Sequence, residues 1–372
     1  MSVKCRTIMA AMEELAPAHL AADWDNVGLL VGSPDQDVSR VLVALDVTPA
    51  VAEAAATGGI DLIIAHHPLI FKALTSLRTD RPIGRTLAAL VRAGAAVFAA
   101  HTNLDAADGG VNDILASKLG LTALRPLSAE YRESLLKIVV FVPESHTEAV
   151  RQAMAAAGAG HIGNYSHCTF QASGTGTFLP LAGTNPFIGQ TGKLEYVAEF
   201  RLETIVPAGQ ADKVVQAMLA AHPYEEVAYD LYRLENAGRD HGVGRVGELV
   251  RPLALGDFAS LVKSALKIDA VRLSGSGARQ VKTVAVCGGA GAGLFAEAVR
   301  SGADVLVTGD VKYHEALEAA ACGLTIIDAG HFASERPVLE AVAARLAGCA
   351  AAGGWDIAIS IDDTSTDVFS IF

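Results

Sequence analysis

The sequence predicts an α/β protein in which two related α/β lobes form a discontinuous core around an inserted ferredoxin-like α+β domain. Three observations carry this. Apolar runs of strand length alternate with helix-length stretches on both sides of the chain's middle, the pattern of parallel sheets joined by crossover helices. The middle third instead reads β-α-β-β-α-β. Short motifs also recur between the two ends of the chain. On this reading residues 1–128 form the first lobe, 129–243 the insert and 244–372 the second lobe. With 372 residues, 51% hydrophobic and 19% charged, the chain is long enough for two or three buried cores.

Residues 6–20 read as an amphipathic helix, followed by the polar loop Asp23-Trp24-Asp25-Asn26 and a short apolar strand. Asp25 is read as a turn residue, with support of a metal ligand as the alternative. A strand at 41–45 and an Ala-rich helix at 49–57 lead to Gly59-Ile60-Asp61-Leu62-Ile63-Ile64-Ala65-His66-His67-Pro68. Its run of Leu and β-branched residues is that of a strand buried on both faces. Two histidines and a proline end it where ligands bind in open α/β sheets. Adjacent strand residues point to opposite faces. Both rings therefore reach one metal only if the strand has already turned into a loop; otherwise they serve two metals side by side. Hydrogen-bonded loop histidines are the other reading of the pair.

A helix near 83–93 and a strand at 95–100 end in His101-Thr102-Asn103-Leu104-Asp105. In the insert, strands at 137–143, 196–205 and 227–234 and helices at 146–157 and 209–221 surround a Gly/Thr/Asn-rich stretch at 158–192. Beyond a glycine-rich exit, strands at 281–286, 303–308 and 324–328 resume the alternation. They end in the glycine loop 287–293, in Gly309-Asp310-Val311-Lys312-Tyr313-His314, and in Gly330-His331-Phe332-Ala333-Ser334-Glu335, with a closing helix from 336.

Net charge is -12 and no Lys/Arg cluster stands out, which removes the electrostatic footprint of a nucleic-acid binder. The five cysteines are scattered without a C-x-x-C pair, as suits a reducing cytosol. Glu13 and Glu14 inside the first amphipathic pattern do not fit a signal peptide. No apolar run approaches the roughly 20 residues of a membrane span. The expectation is a cytoplasmic protein away from membranes.

The stretch around 59–64 resembles the one around 302–307, and His101 with Asp105 is matched by His331 with Glu335, the histidine and the acid each 230 positions on. His66, His67, Asp105, His331 and Glu335 all fall at expected strand ends. Imidazole suits Zn, Fe, Ni or Cu, while carboxylates bridge two ions and admit Mn. Three histidines and two carboxylates do not saturate two metals, and open positions for water mark a catalytic site. His101 and His314 lie beside the expected site as candidate proton shuttles; ordinary loop histidines are the alternative. Gly291-x-Gly293-x-x-Ala296 imitates a dinucleotide fingerprint, and the loop 288–293 at a helix start is a candidate phosphate nest.

Several motifs together resemble one family. They are Trp24-Asp25-Asn26-x-Gly28-Leu29, Ala65-His66-His67-Pro68-Leu69, His101-Thr102-Asn103-x-Asp105, Thr308-Gly309-Asp310-x-Lys312-Tyr313-His314 and Gly330-His331-x-x-x-Glu335. In this order they resemble the GTP cyclohydrolase 1 type 2 homologs, the Nif-three-like family of dinuclear metal proteins, over nearly the whole chain. Gly163-Asn164-Tyr165-Ser166-x-Cys168 and the segment 222–230 resemble the PII/CutA-like insert of its longer members. The resemblance implies two divalent metal ions per chain (Zn, Fe or Mn) held by His66, His67, Asp105, His331 and Glu335. It further implies Glu335 as the bridge, and a toroidal homo-hexamer. The leading expectation is a metal-dependent hydrolase that opens the guanine imidazole ring of GTP and releases formate, with a small anionic or nucleotide substrate. Hydrolysis of another phosphorylated small molecule is the alternative within enzymes. A metal-binding regulatory or chaperone-like protein is the alternative outside them.

Overall fold

The computed structural model describes residues 2–275 and 279–370. The chain divides into two compact units, one made of residues 1–131 and 241–372 and the other of residues 132–240.

The larger unit is built on two sheets. The first has the strand order Ala358–Ile361, Arg40–Ala44, Leu62–Ala65, Ala96–Ala99, Gly28–Val31, parallel except for the last pair. Side-chain alternation splits its residues between two cores. Val41, Val43, Leu62, Ile64 and Phe98 pack against the helices Cys5–Leu15 and Val338–Gly353. Leu42, Ile63, Ala65 and Val97 pack against Pro49–Gly58 and Pro82–Ala93. Covering helices on both faces explain why these strands are apolar throughout rather than alternating.

The second sheet has the order Arg272–Leu273, Thr325–Asp328, Val305–Thr308, Gln280–Val286, Arg245–Ala254, Leu121–Pro126. Its middle three strands are parallel and its outer pairs antiparallel. Val284, Val286, Val305 and Val307 face the helices Val111–Lys118 and Leu255–Leu266. Ala285, Leu306 and Ile326 face Ala298 and Ala319.

The repeat read from the sequence is thus a repeat of architecture, but its lobes do not end at single cuts in the chain. Leu121–Pro126 closes the second sheet, and Ala358–Ile361 closes the first. Each is the strand that follows the last helix of its own repeat, and each has crossed to the other.

The smaller unit carries a four-stranded antiparallel sheet in the order Thr169–Phe178, Glu195–Pro207, Leu135–Pro143, Tyr229–Leu234. Numbered along the unit, that is 2-3-1-4, the order expected of β-α-β-β-α-β. Its second strand lies inside the Gly/Thr-rich stretch. The helices Thr147–Ala156 and Ala211–Ala221 supply Val150, Met154, Val214 and Met218 to a core with Ile138, Val140 and Leu202.

Candidate metal centre

The parallel strands of both sheets point their carboxyl ends at one cluster. The strand Leu62–Ala65 has ended before His66, although the backbone N–H groups of His66 and His67 still donate to Ala44 and Leu45. The chain bends there, so the two rings converge, with centroids 4.9 Å apart. His101 precedes the short helix Thr102–Ala106, and His331 opens the short helix His331–Glu335. These segments, expected as loops, are single helical turns. That geometry makes a four-residue spacing put a histidine and an acid on the same side.

Each ring has one nitrogen fixed by an acceptor. The Nδ1 of His66 meets the Ala100 carbonyl at 2.9 Å, that of His67 meets Asp46 at 2.9 Å, and that of His101 meets Asp25 at 2.9 Å. His331 Nδ1 meets Asp310 at 2.8 Å. With a proton held at Nδ1, each ring presents the lone pair of Nε2. Those atoms converge: His67 Nε2 and His331 Nε2 are 3.2 Å apart, and Glu335 Oε2 is 3.1 Å from each. His66 Nε2 stands 3.7 Å from Asp105 Oδ1 and 3.7 Å from Glu335 Oε1.

Three buried atoms in this group, His66 Nε2, Asp105 Oδ1 and Glu335 Oε2, make no hydrogen bond. Buried polar atoms without partners are rare in folded proteins and call for an explanation. A bound cation supplies it, and mixed imidazole and carboxylate donors suit a divalent transition metal. Candidate ligand atoms fall within 4.8 Å of one another in three sets: His66, Asp105 and Glu335; His67, His331 and Glu335; and His66, His67 and His101. Glu335 belongs to two of them. The five residues expected as ligands are therefore brought together, and His101 joins them.

The electrostatics follow from burial and mutual attraction. Burial pushes the Asp105 carboxyl up to about 6. Burial alone would lower the His67 imidazole, but the Asp46 and Glu335 carboxylates outweigh it and lift it to about 10. Glu335, with Asp310 behind it, overcomes burial to raise His331 to about 9. Burial opposes ionisation of Glu335 as well, yet the surrounding imidazoles hold it well below the usual carboxylate range.

Other expectations meet a different outcome. His314 is exposed at the start of the helix Tyr313–Ala321, with its ring against Tyr313 at 5.4 Å, and does not enter the cluster. Asp25 is more than a turn residue. Besides His101 it accepts hydrogen bonds from the backbone N–H and hydroxyl of Thr102. The glycine loop 288–293 is not an open phosphate nest. Gly288 N–H donates to Asn112, Gly289 N–H to Ser334 and Gly291 N–H to Thr308. Gly289 serves proximity, since a Cβ on it would lie 2.1 Å from Glu335 Oε1.

Sequence reasoning also missed Asp46 as a partner of His67, and the exposed aromatic lip formed by Trp24 and Phe71. Their rings lie 5.8 Å apart and stand 6.2 and 6.4 Å from His101. The exposed Trp in a polar loop was the available signal for the lip. Nothing local marked Asp46.

Fold and site together define an α/β protein with a buried imidazole–carboxylate centre fitted to hold divalent metal. The chain belongs to the DUF34/NIF3 family (NGG1p interacting factor 3), whose pattern matches residues 3–367. It is 50% identical over 326 residues to a "GTP cyclohydrolase 1 type 2 homolog" of Halalkalibacterium halodurans, covering 88% of each chain. It is 43% identical over 369 residues to the protein so named in Bacillus subtilis, covering 99% of each. A crystal structure of a Bacillus cereus protein related to NIF3 superposes with a TM-score of 0.92 at 44% identity over the full length of both chains. Among the described residues, no helix is long and apolar enough to cross a membrane.

Proposed function

We propose that the protein is a dinuclear metal-dependent hydrolase of a small anionic, nucleotide-like substrate. The favoured reaction is hydrolytic opening of the guanine imidazole ring of GTP with release of formate, followed by rearrangement of the ribose and ring closure with loss of water to give dihydroneopterin triphosphate. The observation that carries this reading is Glu335, buried and without a hydrogen bond at Oε2, standing between two sets of nitrogen and oxygen donors. His66 and Asp105 would hold one ion and His67 and His331 the other, with Glu335 shared; Zn, Fe and Mn all suit the donors. Bound metal at such a site lowers the pKa of water and polarises a substrate oxygen or ring nitrogen.

The chain's own residues account for the rest. Asp46, Asp310 and Asp25 orient the rings. His101, fixed at Nδ1 by Asp25 and facing the cluster through Nε2, is placed to hold or move a proton beside the substrate. The Trp24 and Phe71 lip offers aromatic surface for a planar base. Phosphates would be met by the metals rather than by the glycine loop, whose N–H groups at Gly288, Gly289 and Gly291 are committed. By its family resemblance the protein works as a toroidal homo-hexamer in the cytoplasm.

The test is formate release from GTP by protein of measured metal content, with Glu335→Gln as control. Release that tracks metal content and is lost in the variant supports the reading. A metal-loaded protein that leaves GTP intact but cleaves a phosphoester panel moves the assignment to another phosphorylated substrate. Inertness toward both leaves the regulatory reading.

A further inference from the structure

The smaller unit contains a cavity of about 750 Å³, within the range of small-molecule sites. It lies on its sheet between the strands Thr169–Phe178 and Glu195–Pro207 and the segments 179–188 and 224–228. Most of its wall is apolar, yet the carboxylate of Glu199 is set into it and is 9% exposed. Among the described residues the hydrogen bond made to that carboxylate comes from the Tyr224 hydroxyl, at 3.0 Å. A buried carboxylate met by a single neutral donor is poorly compensated. The glycine at 176 makes room for it, since a Cβ there would lie 2.1 Å from Glu199 Oε2.

Aromatic rings share the cavity with the acid. Phe178 and Phe187 lie 6.0 and 6.3 Å from the Tyr224 ring, and all three line the cavity. The cation in the wall, Arg201, is half-exposed and pairs with Glu203 at 3.2 Å, so it does not neutralise Glu199. Glu225 and Glu226 add two further acids to the lining, Glu225 accepting a hydrogen bond from the Asn185 N–H. A buried carboxylate that shares an apolar cavity with aromatic rings is the chemistry that selects an organic ammonium, by ion pairing and cation–π attraction together. We infer that this cavity is a binding site for a small apolar amine in its protonated form, separate from the metal centre and independent of what that centre does.

Three probes of matched size test the inference by calorimetry on the full-length protein: phenethylammonium, phenethyl alcohol and phenylacetate. Phenethylammonium should bind saturably, with the alcohol and the acid at least ~10-fold weaker. Glu199→Gln, which keeps the shape and the Tyr224 contact, should weaken the ammonium by ~10-fold or more with an unchanged circular-dichroism spectrum, as expected when one partner of a buried charge pair is removed. Phe187→Ala, at a half-exposed position where folding is not at stake, should weaken it by several-fold. Equal binding of the alcohol, an unchanged Glu199→Gln affinity, or no saturable heat into the millimolar range would each overturn the inference.

Discussion

The two halves of the larger unit share one plan and divide one task. In each, an antiparallel edge strand precedes three parallel strands, and the third of these ends in a histidine with an acid four residues on. Even a small detail is kept. Asp61 accepts hydrogen bonds from the backbone N–H groups of Ser39 and Arg40, and Asp304 does the same for Lys282 and Thr283. The halves part where the chemistry begins. Matching Leu62–Ala65 to Val305–Thr308 sets Gly309 opposite His66 and Asp310 opposite His67. One half supplies two imidazoles at that point. The other supplies bare backbone, where a Cβ would lie 2.6 Å from the His331 nitrogen, and an acid that orients His331. Glu335 reaches one methylene further than Asp105 and so touches donors from both halves. A repeated scaffold can therefore hold an asymmetric centre when a few positions are traded between ligand, orienting group and empty space.

The sharpest way to break this comparison is Glu335→Gln against Asp105→Asn. Orienting groups around a metal are typically worth ~10–100-fold in affinity. Loss of the shared carboxylate should exceed that upper figure and reach further than loss of Asp105, as read by equilibrium dialysis with elemental analysis. Equal losses would mean that Glu335 is not shared. Next come Asp310→Asn and Asp46→Asn, each expected to weaken metal binding by ~10–100-fold, with the fold intact by circular dichroism.

Backbone differences should cost less. Gly330 has φ 85° and ψ 148°, a conformation that strains any other residue by ~1–3 kcal/mol. Gly330→Ala should lose about that much stability in urea titrations and also displace His331. A neutral Gly330→Ala would show that the turn before His331 is not fixed. Asp61→Ala and Asp304→Ala should each cost ~0.5–1.5 kcal/mol, by losing a pair of backbone hydrogen bonds. Markedly unequal values would argue that the likeness between the halves stops at topology.

The smallest effect is set by pH. Burial opposes ionisation of Asp362, but hydrogen bonds from Ser365 and Thr364 outweigh it and hold its pKa below the usual value. A lowered carboxylate pKa contributes stability that is complete above the unfolded value of about 3.9 and fades as pH falls through the folded one. Asp362→Asn should therefore cost about 1 kcal/mol at neutral pH and almost nothing well below pH 3. A difference that persists in acid would assign the loss to packing instead.

Much of this was legible because strands buried on both faces must be apolar, and the residues that interrupt them stand out. His66 and His67 after Leu62–Ala65 are the clearest case, and the i,i+4 pairs beginning at His101 and His331 are another. The order of elements in the middle unit was readable from strand- and helix-length patterns instead, with the mostly exposed second strand concealed in the Gly/Thr-rich stretch. What escaped was decided by contacts distant in sequence. A glycine loop has one appearance whether it cradles phosphate or makes room for Glu335, 46 or more positions away in the chain. Asp46, Asp25 and Asp310 are visible as acids, but which ring nitrogen each holds is set by folding. His314 carries the same side chain as His331, and only the fold leaves it exposed on the helix Tyr313–Ala321, outside the cluster.

The crossed strands bear on the order in which the protein can be made. Arg40–Ala44 finds its neighbour Ala358–Ile361 far along the chain, Ser360 bonding the carbonyl of Val41 across 319 positions. During synthesis the amino-terminal sheet therefore waits with an unpaired edge, the kind of edge that invites pairing between chains. His66 and His67 have emerged by then, but Glu335 has not. A nascent chain can own most of the imidazoles and still lack the carboxylate shared by two of the ligand sets, so the centre is completed only when the carboxyl-terminal half has been made.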